Sequence, residues 1–202
     1  MTLDFKPRLA VCILIFALVM LQGCASSSPQ VRLPPMVDEQ RIAELNHAIL
    51  NLSDAIDSSE AQRAAQIAIE YTQQLARQYE ITGSPVMHNL LVNLGLKPRG
   101  LCVDWTTDLM ARLKQEHFYS LDLHWGIANY ETAFRLEHST VIVSARGASL
   151  YQGLVLDPWR HSGQLFWTAT LEDPGYSWHP RAEIHALKRE RRNASNNRSY
   201  IR

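Results

Sequence analysis

Residues 137–157 read EHSTVIVSARGASLYQGLVLD, and this stretch decides the fold of the second half of the chain. Both of its ends are rich in β-branched and apolar residues, which is typical of strands, while the central RGAS is typical of a turn. We therefore predict two antiparallel strands at 137–145 and 150–157. Simple hairpin pairing about the turn would place His138 and Asp157 opposite each other, on strands about 4.8 Å apart.

The strand pattern extends to both sides of this hairpin. Residues 121–128 alternate between apolar and more polar side chains, the period of a half-buried strand, and residues 164–170 predict a further strand. Before residue 117 the apolar residues recur instead at three- and four-residue steps, which predicts helices over 39–57, 60–80, 84–94 and 102–116. Helices first and strands afterwards indicate an α+β fold, with helices packed on an antiparallel sheet.

Two of these helices carry start signals in the sequence. Ser59 with Gln62 fits a capping box for the second helix. Ser84 followed by Pro85 fits the cap and first position of the third, which we expect to stop at Gly95. The two N-terminal helices are consistent with a helical hairpin that serves only packing.

The N-terminus predicts a lipoprotein signal peptide over residues 1–23. Residues 9–21 form an apolar run that is short for a bilayer span, which needs about 20 residues, and positive charges precede it. Residues 21–24, LQGC, match the bacterial lipobox, so we expect Cys24 to carry acyl chains such as palmitate and to anchor the chain in the membrane. Ala25 after it favours the outer membrane, facing the periplasm. An N-terminal anchor helix is the alternative.

The remaining sequence divides into three predicted parts. Residues 24–38 are rich in Ser and Pro and predict a flexible tether behind the lipid. Residues 39–192 predict a single α+β domain, with a short helix near 182–191, and residues 193–202 predict a basic disordered tail. The chain has 20 basic and 20 acidic residues, so no overall field favours nucleic acid. We expect a monomer, and the basic end is either a solvated tail or a contact for anionic lipid or polymer.

Cysteine usage draws attention to one thiol. Of the three cysteines, Cys12 lies in the predicted signal and Cys24 in the lipobox, so Cys102 would be alone in an oxidising compartment. Cys102 begins a predicted helix, where the positive end of the helix dipole favours a thiolate. Buried cysteine that only fills space is the alternative.

His138 and Asp157 could complete a catalytic set with Cys102. A histidine can exchange a proton with the thiol, and a carboxylate can fix the tautomer of the histidine. Each residue also has a simple structural explanation, because His138 at a strand start could be half-buried and hydrogen-bonded. Asp157 before Pro158 is a normal turn opener. Together they predict a Cys-His-Asp site.

Three short motifs resemble one protein family. Residues 100–105 (GLCVDW), 137–139 (EHS) and 156–159 (LDPW) are similar to the transglutaminase-like branch of the papain-like fold, in particular to bacterial transglutaminase-like cysteine proteinases. The resemblance covers about residues 85–170. It implies that Cys102 is the nucleophile, His138 the base and Asp157 the residue that orients it. The family's oxyanion donor has no matching Gln or Trp here, so Asn93, Asn89 and the Cys102 amide are the candidates, with Asn93 our choice.

The expected function is a cysteine peptidase or amidase that cleaves amide bonds of a protein or peptide substrate through a thioester. The alternatives are a transglutaminase-type cross-linker, a cell-wall amidase, and a non-catalytic binding or scaffold lipoprotein with the same fold. The chain has no HExxH or paired-cysteine spacing for zinc and no G-x-S-x-G nucleophile motif. We therefore expect no cofactor and no metal.

Overall fold

A computed structural model describes residues 35–132 and 136–199 of the chain. The predicted signal peptide, Cys24 and the tether up to residue 34 lie outside these residues. The described part contains five helices and five strands in an α+β arrangement. Its elements are α1 Pro35–Leu50, α2 Ser58–Gln78, α3 Pro85–Asn93, α4 Cys102–Lys114, β1 Leu121–Ala128, β2 His138–Ala145, β3 Leu154–Asp157, β4 Phe166–Ala169, β5 His179–Pro180 and α5 Arg181–Ser199. None of the described helices combines the length and the apolar character that a bilayer crossing requires.

The five strands form one antiparallel sheet in the order β4-β3-β2-β1-β5. The central strand β2 is buried along both faces. Burial on both sides explains its unbroken β-branched run, because neither face needs polar side chains. The sheet therefore holds His138, the first residue of β2, between two packed layers.

The main core lies between the helices and one face of the sheet. It includes Leu45 of α1, Ala65 of α2, Leu109 of α4 and Val141 of β2. A smaller cluster covers the opposite face, where Trp178 packs with apolar residues of β1, β2 and β3. The segment before β5 thus closes the face that the helices leave open.

The predicted ends of the first two helices are corrected by the structure. Helix α1 begins at Pro35, so the last residues of the predicted tether are helical, and it ends at Leu50 instead of residue 57. Ile56 is still buried, because the chain turns back onto the core and prolongs the apolar pattern beyond the helix. Asp57, not Ser59, caps α2, since its carboxylate accepts hydrogen bonds from the amides of Ser59 and Glu60.

The third and fourth helices begin where predicted. Ser84 caps α3, with its hydroxyl accepting from the Met87 amide at 3.3 Å, and Pro85 occupies the first turn. Helix α4 begins at Cys102 and ends at Lys114, two residues before the predicted end. Strand β1 has the predicted bounds, and β2 begins one residue later than predicted.

The register of the β2–β3 pair is a correction that bears on the site. Residues 150–152 form a short 3₁₀ helix, so β3 begins only at Leu154. Val141 pairs with Leu156, and continuing this register puts Asp157 opposite Thr140. His138 and Asp157 are therefore diagonal neighbours, not directly opposite, and diagonal pairs on one face remain within reach of long side chains.

The C-terminal helix is longer than predicted. Helix α5 continues to Ser199, past residue 193, where the sequence predicted the tail to begin. No Gly or Pro interrupts residues 181–202, and ion pairs from Lys188 to Glu137 and from Arg191 to Glu131 hold the helix against the loop before β2. Both pairs are largely exposed, so each contributes about 1 kcal/mol or less.

Candidate active site

The backbone before α4 sets the position of Cys102. Asp104 accepts hydrogen bonds from the amides of Gly100 and Leu101, each at 3.0 Å. The indole of Trp105, which is 1% exposed, donates to the Gly100 carbonyl at 3.0 Å. These bonds fix the first turn of the helix from both sides, so the thiol leaves the helix start in a defined direction.

Gly100 gives a direct test of this support. Its φ is +127°, and an added Cβ would lie 2.4 Å from His88 Nε2. We expect Gly100→Ala to destabilise the protein by about 2–3 kcal/mol, because strain and the clash act together. Gly95→Ala is the matched control, since φ there is +72° but no atom lies within 4 Å. Urea unfolding measures both, and equal losses would contradict the packing argument.

His138 and Asp157 meet in the interior of the protein. His138 is 2% exposed and Asp157 is fully buried at 0%, and His138 Nε2 lies 2.8 Å from Asp157 Oδ2. A carboxylate can only accept, so Nε2 carries the hydrogen of this bond. The other ring nitrogen, Nδ1, is buried without a hydrogen-bond partner among the described residues. Asp157 therefore selects the tautomer that leaves Nδ1 free for the thiol.

Cys102 reaches this pair at the end of β2. Its sulfur is half-buried and lies 3.7 Å from the Glu137 carbonyl oxygen, to which it donates while it carries its proton. The thiol and the His138 ring are close enough to shift each other's pKa. Nδ1 is the ring nitrogen that Asp157 leaves available, so it is the one through which His138 can exchange a proton with the thiol.

The electrostatics favour a thiolate–imidazolium pair. Burial raises the pKa of Cys102, but His138, together with the amide and hydroxyl of Ser139, lowers it by more, so the net pKa is below that of an ordinary thiol. Burial lowers the pKa of His138, but the charge and hydrogen bond of Asp157, and then Cys102, raise it to about 9. Both shifts have the direction that a thiolate–imidazolium pair requires.

Aromatic rings surround the imidazole. The ring centroids of Trp159, Tyr176 and Trp178 lie 4.7, 4.6 and 5.4 Å from that of His138. Trp159 is tied in turn to α3, because its indole donates to Asn89 Oδ1 at 3.0 Å. The rings exclude water from one side of the histidine and restrict its rotation.

Two charged residues that the sequence did not single out complete the cluster. Arg160 donates from Nε to Asp157 Oδ2 at 3.1 Å and from its amide to Oδ1 at 3.2 Å. Its guanidinium also binds both oxygens of Asp173, at 3.0 and 2.7 Å. In the sequence, Asp173-Pro174-Gly175 is recognisable only as a turn. Arg160 comes directly after the LDPW motif, but it belongs to no helical or strand pattern that would mark it as a site residue. No local signal pairs them.

The candidate oxyanion residues are placed differently from one another. Asn93 is exposed at the end of α3, and no contact connects it to the described cluster. Asn89 is buried and touches Trp159, so it is the side chain of α3 that adjoins the site. Within residues 35–132 and 136–199, no three His, Cys, Asp or Glu side chains converge in a way that could hold a metal ion.

Comparisons with known proteins return nothing for this chain: no family model matches it, and neither a curated protein nor a solved structure matches it.

Proposed function

We propose that this protein is a cysteine-nucleophile peptidase or amidase of the transglutaminase-like, papain-like type. The observation that supports the proposal most is the buried 2.8 Å bond from His138 to Asp157, which leaves Nδ1 available to a neighbouring thiol at a helix start. A histidine held in one tautomer beside a cysteine of lowered pKa is the arrangement that thiol acyl transfer needs.

The first chemical step is attack of the Cys102 thiolate on the carbonyl carbon of an amide. The S–C bond forms, and the carbonyl π electrons move to oxygen. When the tetrahedral intermediate collapses, the C–N bond breaks, and the leaving amine takes the proton from His138 Nδ1. The products of this step are a thioester on Cys102, a free amine and a neutral imidazole.

Donors for the oxyanion are available beside the sulfur. The Cys102 amide lies in the first turn of α4, where helix amides have no partner within the helix, and it makes no hydrogen bond with a described side chain. Asn89 uses Oδ1 for Trp159, which leaves its amide nitrogen as a second donor on the neighbouring helix. We propose these two groups, rather than Asn93, as the oxyanion donors.

The second step regenerates the enzyme. Neutral His138 removes a proton from water, the oxygen attacks the thioester carbon, and the C–S bond breaks to leave the thiolate and imidazolium. If an amine replaces water, the product is a new amide and the reaction is cross-linking. The same residues serve both outcomes, and only access of the second substrate separates them.

We also propose that the enzyme acts in the cell envelope as a lipid-anchored monomer without a cofactor. The proposal depends on the LQGC motif at residues 21–24. Acylation of Cys24 would keep the domain close to the membrane and to envelope proteins or peptides as substrates.

The test compares the wild-type chain with Cys102→Ala. Each is incubated with an extract of cell-envelope proteins and, separately, with purified sacculi, and new amino termini or released peptides are identified by mass spectrometry. We expect new termini in the protein extract with the wild type alone. A biotin-labelled amine added in parallel reports transfer instead of hydrolysis.

The outcomes separate the candidates. Products that form equally with Cys102→Ala would exclude a thiol mechanism. Products from sacculi alone would identify a cell-wall amidase, and label incorporation alone would identify a cross-linker. No product in any arm, together with slow alkylation of Cys102, would favour a binding or scaffold protein.

A further inference from the structure

The Asp157 carboxylate is shared between two donors of different charge. Oδ2 accepts from His138 Nε2 at 2.8 Å and from Arg160 Nε at 3.1 Å, so the guanidinium binds the same oxygen as the imidazole. The positive charge of Arg160 therefore offsets part of the negative charge of Asp157, which is what stabilises a protonated His138. An unbalanced arginine would therefore weaken the imidazolium that the proposed reaction needs.

Asp173 offsets this effect. Both of its oxygens bind the guanidinium, and its side chain is fully buried at 0%, while that of Arg160 is only 16% exposed. Trp178, which touches the His138 ring, donates its indole N–H to Asp173 at 2.8 Å, and the Gly175 amide donates at 2.8 Å. Burial raises the pKa of Asp173, but these donors lower it by more, so it remains a carboxylate.

The guanidinium is also fixed in its plane. It lies over the ring of Phe166, with its central carbon 4.0 Å from the ring centroid, and 4.8 Å from the ring centroid of Tyr176. Such stacking adds to the ion pairs and restricts the Arg160 guanidinium to one orientation. A lysine could not replace it, because a single ammonium cannot bind both carboxylates along these directions.

We propose that Arg160 and Asp173 are positioning residues of the site: Arg160 holds the Asp157 carboxylate against His138, and Asp173 balances its charge so that the imidazole can keep a proton. Neither residue has a hydrogen bond or ion pair with Cys102 among the described residues. This role rests on the proposed function. The effect of the two residues on His138, however, can be measured without a substrate.

Charge balance makes a prediction that simple structural support does not. Asp173→Asn removes one negative charge and leaves Arg160 unbalanced, so the pKa of His138 should fall from about 9 by about one unit. The double variant Arg160→Gln with Asp173→Asn removes both charges, so the pKa should return to the wild-type value or exceed it. If the two residues gave only structural support, the pKa of His138 in the double variant should instead fall at least as far as in Asp173→Asn.

Two measurements report this pKa. Iodoacetate is anionic and alkylates a thiolate fastest beside an imidazolium, so the alkaline fall of its rate with pH follows His138. In a Cys102→Ala background, NMR titration of the His138 ring gives the same comparison without the thiol. The groups that face His138 are Cys102, Asp157 and Tyr176, and they are unchanged among the Arg160 and Asp173 variants within each background. Glu172→Gln is the control, because this neighbouring carboxylate is exposed.

In the wild type and in Glu172→Gln, the alkylation rate should fall at high pH with a midpoint near pH 9, which we call the alkaline limb. Asp173→Asn should lower it by about one unit, and the double variant should restore it. An unmoved limb in Asp173→Asn, or a lowered limb in the double variant, would overturn the inference. If Asp173→Asn does not fold, Arg160→Gln takes its place: it removes the cation and keeps both carboxylates, so the pKa of His138 should rise above the wild-type value, and an unchanged pKa would overturn the inference. An inert Cys102 with the expected NMR shifts would contradict the proposed function and still support the positioning pair.

Discussion

Replacing His138 by Gln should slow alkylation of Cys102 by iodoacetamide at pH 6 about 100-fold. Burial alone raises the pKa of this thiol, and the histidine is the largest of the groups that lower it. Without the imidazole, burial should hold the pKa of the thiol at or above that of an ordinary cysteine, so very little of it is ionised at pH 6. The reaction rate follows this thiolate fraction.

His161→Gln provides the control for this experiment. His161 is an exposed histidine in the turn that follows Asp157, and its ring stacks on Phe166, not on the site. Its removal should leave the alkylation rate within a factor of about two. If His138→Gln reacts as fast as the wild type at pH 6, the thiol is not activated by this histidine and the proposed mechanism fails.

Asp157→Ala should destabilise the protein by about 3–5 kcal/mol, the range typical of a buried ion pair that loses one partner. The change removes the acceptor of His138 and one of the two carboxylates that bind Arg160. For a domain of this size, such a loss lowers the midpoint of thermal unfolding by about 10 °C. Differential scanning calorimetry measures it directly.

The same variant predicts a dependence on pH with a definite sign. The pKa of His138 rises from 6.5 to about 9 on folding, so its contribution to stability is full below pH 6.5 and is lost as the pH rises through 9. Because Asp157 is the largest favourable cause of this rise, the difference in stability between wild type and Asp157→Ala should shrink between pH 6 and pH 10. A constant or growing difference would contradict the assigned bond.

Asp122→Ala is a matched control, because it also removes a strand aspartate paired with an arginine. Arg146 binds Asp122 at 2.6 Å, but the two side chains are 54% and 28% exposed. A partly solvated pair contributes about 1 kcal/mol or less. Its loss should not depend on pH between 6 and 10 in the manner expected for Asp157.

The local elements were predictable where one residue type decides them. Ser84 and Pro85 predicted the start of α3, and alternation predicted β1 with its bounds. The end of α1 and the cap of α2 were wrong for a related reason. Ile56 keeps the helical spacing although the chain has already turned, and Asp57 accepts from the amide of Ser59, so Ser59 lies inside the helix that it was predicted to cap. Periodicity reports which residues face the core, and it does not report whether the chain between them is straight.

The candidate triad is a mixed case. The sequence predicted a proximity of His138 and Asp157 from hairpin symmetry, but the actual register places them diagonally because a 3₁₀ turn at residues 150–152 takes up part of the predicted strand. The side chains still meet, since the diagonal distance suits an imidazole and a carboxylate. The prediction reached a sound pairing through an incorrect register.

The sequence by itself determined the α+β order, the start of α4 at Cys102 and, to within one residue at its start, the strand that carries His138, because capping, periodicity and β-branching act over a few neighbouring residues. Only the tertiary structure decided that Arg160 joins Asp157 to Asp173 and that Asn89 rather than Asn93 adjoins the site. Those contacts depend on loops that pack from separate parts of the chain. Their geometry follows from the burial of Trp178 against the sheet and from the contacts of Trp159 with Asn89 and the His138 ring, which no local pattern encodes.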